Sequence, residues 1–377
     1  MFFQRQGEVA DRPHLNLPSG TYEEEHGLEG FYGAVSHLYH EKPPTSWTDL
    51  RRSPFQWAPI EEQRADFLKP QCFQPPSDGS QKDFFQGGEC WFFNDEIRLW
   101  WHRFSVASSV FFRNADASEL YFCHDGKARL ESVYGEIALE KGDYVLIPKG
   151  VTYRWALDDQ AMALLRIENL KSHFQRPDTA LMGQHALYSE HEIEGPLLKK
   201  GGESGSTVRV QSEFEISEIE YAHDVRDLKG WVGNLYPYKL NISKISPALS
   251  SKAHLPPSVN STFVAQDFVV CSFLPRPLEE PEGALKVPFF HSNIDYDEVI
   301  LYHEGDFFSR DHMEAGCISF HPRGVHHGPH PKALKNQSAK TRTDEVAVMI
   351  DTRNPLRATA YARKREIREY WKSWRPS

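Results

Sequence analysis

Between about 90 and 170 the chain alternates short apolar runs with turn residues. Runs at 99–101, 110–112, 119–123, 128–133, 144–147 and 162–167 read as strands, with turn signals at Asp125-Gly126, Lys141-Gly142 and Lys149-Gly150. Short strands at this spacing predict a sandwich or barrel. A second strand-rich block runs from about 238 to 352. Around these blocks the pattern loosens. Residues 1–60, rich in Pro, Gly, His and aromatics, read as an extended arm with short elements that packs on a body. Residues 171–229 are polar, centred on Lys199–Gly205, and read as an exposed connection, although one this long usually carries structure of its own. The tail, 356–377, reads as a helix with a basic outer face. The expected organisation is therefore an arm (1–60), a first β domain (61–170), a connection (171–229), a second β domain (230–355) and the C-terminal helix (356–377).

The two β blocks repeat one another. In the first, Glu119 is followed after six residues by Gly126, and Gly142 after five by Pro148, then Lys149, Gly150 and Tyr153. In the second, Glu298 is followed after six by Gly305, and Gly316 after five by Pro322, then Arg323, Gly324 and His327. These stretches resemble the two signature motifs of the cupin superfamily, each present twice. The fold class expected is mainly β, with two cupin jelly rolls in one chain.

The second repeat carries candidate chemistry. His291 lies seven residues before Glu298, so His291, Glu298 and His327 offer two imidazoles and a carboxylate. That is the donor set of the facial triad in non-haem Fe(II) oxygenases, which leaves metal positions open. Fe(II) is the cofactor expected. Asp297 is the nearest rival to Glu298, but only Glu298 opens the Glu-x6-Gly motif. Histidine abundance alone proves little, because His303, His321, His326 and His330 share the region. The first repeat has Tyr153 where the second has His327, and Asn114 and Asp116 where a histidine is needed. The first cupin is expected to be metal-free, with a role in packing and assembly.

Composition narrows the class. Hydrophobic residues are 40% and charged residues 25%, enough for a packed core. The net charge of -10 offers no general polyanion-binding surface, so nucleic acid is not an expected partner. The five cysteines are scattered without a C-x-x-C pair, which fits reduced thiols in a cytoplasmic protein. No run of 18 apolar residues occurs and residues 1–8 lack an apolar signal core, so no membrane association is expected.

A family resemblance adds to this. The stretch 230–241, Gly-Trp-Val-Gly-Asn-Leu-Tyr-Pro-Tyr-Lys-Leu-Asn, is similar to the Gly-Trp-x-Gly-Asn-x-x-Pro-Tyr-Lys-x-Asn stretch of homogentisate 1,2-dioxygenases. His254-Leu255-Pro256-Pro257-Ser258 resembles that family's His-x-x-Pro-Ser. Residues 289–293 with Glu298, and 321–329, resemble its ligand stretches, and 17–22 and 35–39 resemble its shorter bacterial members. The resemblance implies cleavage of homogentisate with O2 to maleylacetoacetate. It implies His254 as acid–base residue, His321 as a group orienting a ligand or the substrate, and assembly as a homo-oligomer, trimer or hexamer. Arg310 and Lys239 are candidate partners for a substrate carboxylate. The chain departs from the better-known members in three ways. It is shorter, its His291–Glu298 spacing is one residue longer, and Phe307 stands where they carry a tyrosine close to the substrate. Phe307 therefore bears on which dihydroxyaromatic acid is used. Gentisate or hydroquinone is an alternative substrate, and a non-catalytic bicupin binding protein is an alternative class.

Overall fold

The structure, a computed structural model, describes residues 3–79, 81–157, 161–178, 186–307 and 313–375. The fold is mainly β and bicupin. In the first half, two seven-stranded sheets face one another. One has Met162–Asn169 at its centre, between Ser118–Asp125 and Ile97–Phe104. The other contains Thr152–Leu157 and Phe111–Asn114. Their inner faces meet through aromatic pairs such as Tyr121–Trp155, with centroids 5.1 Å apart. Every residue of Met162–Asn169 is buried, as a strand covered on both faces requires.

The second half is built on a six-stranded sheet. Asp297–Glu304 lies between Ile318–His321 and Val346–Thr352, and Phe268–Phe273 follows. Each half lends strands to the other. Gln71–Phe73 closes the edge of the second sheet against Ile318–His321. In return, Tyr238–Asn241 and Arg357–Ala358 pair with Asp143–Ile147 and Gly88–Phe93 of the first.

Three segments differ from the sequence reading. The arm is a sheet: Tyr22–Glu29 and Tyr32–His40 form a hairpin that continues through Leu228–Gly233 to Gln4–Gly7. The tip of the hairpin turns at Gly30, whose φ of +63° is left-handed. The connection also carries strands. Ser206–Ser212 runs parallel to Phe111–Asn114 and pairs with Glu215–Tyr221, extending the first domain. Its period-two burial, with Val208 and Ile216 fully buried, supplies the apolar face. The tail is not one helix. It is a short helix, Ala360–Lys364, and a 3-10 turn, Tyr370–Trp374. Between them the backbone bonds the neighbouring chain: Gln74 N–H donates to Arg365 C=O (3.0 Å) and Ile367 N–H to Cys72 C=O (2.8 Å). Those bonds replace the i to i−4 ladder a continuous helix needs. Among the described residues no helix is long and apolar enough to cross a membrane.

Candidate metal centre and cleft

Register places the chemistry. On the central strand Glu298 lies opposite His321 on one neighbour and Asp351 on the other. Directly paired residues share a face, so His321, Glu298 and Asp351 form a row. Asp297, one residue earlier, faces the other way. Its carboxylate accepts from the backbone N–H of Arg323 (2.8 Å) and Leu356 (2.7 Å), which is a structural use.

His291 and His327 reach the row from a separate backbone bridge, each N–H donating to the other's carbonyl at 2.9 and 3.0 Å. Their side chains are set the same way. His291 Nδ1 lies 3.1 Å from Phe289 C=O and His327 Nδ1 lies 3.0 Å from Val325 C=O. A carbonyl can only accept, so both rings donate from Nδ1, and in the neutral ring Nε2 is then the lone pair. Those two Nε2 atoms stand 4.0 and 3.7 Å from Glu298 Oε2. The three donor atoms lie within 4.8 Å of one another and could hold a metal ion. His327 is 3% exposed, and its Nε2 has no hydrogen-bond partner. A buried lone pair facing a carboxylate without a hydrogen bond fits a cation between them.

Electrostatics favour an ionised Glu298. Burial raises its pKa, but the hydrogen bond from His321, with the imidazole of His327 beside it, outweighs this and holds it well below the ordinary carboxylate range. His321 Nδ1 is 2.5 Å from Oε1, which leaves Oε2 to the two imidazoles. Asp351 goes the other way. Burial and the neighbouring Glu298 charge push its carboxyl well up.

The cleft beside this cluster spans about 900 Å³ of empty space, solvent at its mouth included. His291, Glu298 and His254 line it, with Leu255, Phe273 and Met349 among its apolar walls. His254 Nδ1 lies between a donor and an acceptor, 3.0 Å from Arg276 Nη2 and 3.3 Å from Glu279 Oε1. Arg276 and Glu279 are themselves 3.2 Å apart. Burial, then the Arg276 charge, lower the His254 pKa, so the ring is neutral at neutral pH.

The structure thus gathers His254, His291, Glu298, His321 and His327, and it separates others. Phe307 is buried behind Tyr302, ring centroids 4.9 Å apart, and Tyr302 rather than Phe307 lines the cleft. Lys239 sits on the first domain, 3.5 Å from both Asp143 and Glu194. Arg310 lies outside the described residues. Sequence reasoning missed Arg276, Glu279 and Asp351. Only Asp351, on an evident strand, carried a signal, as a charged residue within an apolar run.

In the first cupin the position matching the metal cluster is filled differently. Arg166, fully buried, places Nη2 2.7 Å from both Glu119 and Glu168. Tyr153, matching His327, donates to Glu119 at 2.9 Å, and Tyr121 does so at 3.0 Å. The guanidinium is ringed by aromatics, with Trp100 at 5.2 Å and Phe112 at 5.4 Å. A side-chain cation balances the carboxylates there.

Residues 33–242 match the family model of the homogentisate 1,2-dioxygenase N-terminal domain, and residues 247–377 that of the C-terminal domain. A Saccharolobus solfataricus protein assigned as a dioxygenase is 31% identical over 99% of both chains. The homogentisate 1,2-dioxygenase of Rhodopseudomonas palustris strain BisB5 is 25% identical over 69% of this chain and 62% of its own, so under two thirds of that enzyme is matched. That of Bradyrhizobium diazoefficiens is 25% identical over 67% and 59%. Among solved structures, a cupin 2 barrel protein from Leptotrichia buccalis aligns with a TM-score of 0.36 at 9% identity, over 77% of this chain and 99% of its own.

Proposed function

The chain belongs to the homogentisate 1,2-dioxygenase family, and from that premise we propose that it is an Fe(II)-dependent dioxygenase cleaving the ring of a para-diphenol, homogentisate in the first instance. The observation that carries the reading is the convergence of His291, Glu298 and His327 beside a cleft that His291, Glu298 and His254 line. Iron held by those three residues would supply the redox chemistry that ring cleavage by O2 requires.

The chain's own residues do the rest. His291 and His327 each turn Nδ1 to a backbone carbonyl, which leaves Nε2 as the atom that would ligate. Glu298 contributes one negative charge to the set. With a single carboxylate in the set, a divalent cation held by these residues would keep a net positive charge and would favour a substrate phenolate. His254 handles the substrate proton. With Nδ1 bare, it accepts from Arg276 and the proton sits on Nε2. With Nδ1 protonated, it donates to Glu279 and Nε2 is free to take a proton. Both states find a partner, as a group that takes and returns a proton needs. The apolar walls, including Leu255 and Phe273, fit an aromatic ring and limit water at the reacting carbons.

In homogentisate the bond broken joins the carboxymethyl-bearing carbon to the adjacent hydroxylated carbon. Both atoms of O2 enter the product, maleylacetoacetate, and nothing is released. The same proposal includes a cytoplasmic homo-oligomer, trimer or hexamer, and a first cupin that binds no metal. Identity of 25% to homogentisate 1,2-dioxygenases leaves room for a second reading of the substrate alone: gentisate or hydroquinone with the same residue roles. Oxygen uptake by the Fe(II)-loaded protein over a panel of these three compounds tests the function. Uptake with homogentisate supports the first reading, uptake only with another diphenol the second, and uptake with none refutes both.

A further inference from the structure

A second cluster of metal-ligand side chains lies far along the sequence from the cleft, on the N-terminal sheet. Glu23 and Glu25 of Tyr22–Glu29 pair with Tyr39 and His37 of Tyr32–His40. The four side chains therefore share one face. His14, from the preceding loop, covers that face. Its backbone N–H donates to Glu23 (3.1 Å), and a bridge between Arg12 and Leu15 shapes the loop. His14, Glu23 and His37 each offer a donor atom, all within 4.8 Å of one another.

Two observations go beyond an ordinary surface ion pair. His37 is only 9% exposed, and its buried Nδ1 has no hydrogen-bond partner. That nitrogen lies 3.3 Å from Glu23 Oε1. A lone pair and a carboxylate so placed repel one another unless a proton or a cation sits between them. Zinc donors at about 2.0–2.1 Å and tetrahedral angles sit about 3.3 Å apart. The second observation is His14. Its Nδ1 lies 2.8 Å from Glu23 Oε2, while its Nε2 lies 3.3 Å from Glu25 Oε2. A ring that ligates through Nδ1 would donate Nε2–H to Glu25, the carboxylate support common behind metal-bound histidines. Tyr39 Oη, 3.2 Å from Glu23 Oε1, would orient the ligating carboxylate in the same way.

We propose that His14, His37 and Glu23 form a second metal site, selective for a borderline divalent ion of the Zn(II) type, that staples the N-terminal loop to the Tyr22–Glu29 and Tyr32–His40 hairpin. The charge of the ion balances Glu23 and Glu25. Two imidazoles and a carboxylate favour Zn(II) over Mg(II) or Ca(II), and the order of divalent affinities places Zn(II) above Fe(II). The site is independent of the triad and has no role in the proposed ring cleavage.

The test is equilibrium dialysis of the metal-free full-length protein against Zn(II), with zinc counted per chain. The expected result is two equivalents for the wild type and one each for His37→Gln, His14→Ala and Glu298→Gln. His14 is largely exposed, so its removal reads ligation without threatening the fold. Zinc that is unchanged in both His14→Ala and His37→Gln overturns the proposal. A wild type with one equivalent decides as well: loss only in Glu298→Gln overturns this site, and loss only in His14→Ala and His37→Gln overturns the triad instead.

Discussion

Glu279 is 1% exposed, and its Oε1 is 3.3 Å from His254 Nδ1. Replacing it with glutamine keeps the shape and removes the charge. Two full charges at that separation attract by about 5 kcal/mol at an effective dielectric of about 20, which is an upper bound. Proton transfer is incomplete in a transition state, so about 2–4 kcal/mol of it should be lost. The remaining charge makes the lesion worse: Arg276, 3.0 Å from the same nitrogen, then opposes protonation of the ring unbalanced. Glu279→Gln should lower kcat roughly 30- to 1,000-fold with KM within a few-fold and iron content unchanged. The sign of the pH effect also follows. Burial and Arg276 already lower the His254 pKa, and loss of the Glu279 charge lowers it further. The acid limb of the kcat profile should therefore move to lower pH while the plateau falls. A merely structural lesion lowers the plateau and leaves the limb in place. Steady-state oxygen uptake across pH, with Glu279→Asp as partial rescue, is the assay. An unchanged kcat, or a fall with a stationary acid limb, would refute the role given to Glu279.

Metal analysis after Fe(II) reconstitution should show one iron per chain, lost in His327→Ala and Glu298→Ala; full retention in either variant rejects the ligand assignment. His254→Ala should keep its iron and lose roughly 10²–10⁴-fold in turnover, whereas loss of iron would make His254 a ligand. In the first cupin, Arg166→Met leaves Glu119 buried without its counter-charge and Glu168 with Arg98 alone, so urea unfolding should show a loss of about 3–5 kcal/mol. A loss under about 1 kcal/mol there would mean that the network is not held by its cation.

Much of the second domain was legible because its chemistry sits inside a repeat. The Glu-x6-Gly and Gly-x5-Pro-x-Gly motifs fix where strands turn, and so where Glu298 and His327 fall. What spacing could not show is the backbone that locks them, such as the Phe289 and Val325 carbonyls that set the tautomers. Arg276 and Glu279 were hidden in a Pro-rich stretch without periodicity. The hairpin of 206–221 was hidden by its turn. Glu213 and Phe214 take φ of +52° and +65°, a conformation usually announced by Asn-Gly or Asp-Gly. Gln71–Phe73 is three residues long, and nothing local to so short a run says that its partner lies some 250 positions away. The tail has helical composition, but its backbone pairs with residues 72–74, a tertiary effect that overrides propensity.

The most direct measurement is isotope incorporation. Fe(II)-loaded protein, turning over homogentisate under ¹⁸O2, should consume substrate and O2 in equal amounts and form a ring-opened acid carrying two labelled atoms. The same double label from gentisate or hydroquinone, with homogentisate inert, would keep the residue roles and change the substrate. Protein shown to hold iron that takes up no O2 with any of the three, or yields an unlabelled product, would contradict the account.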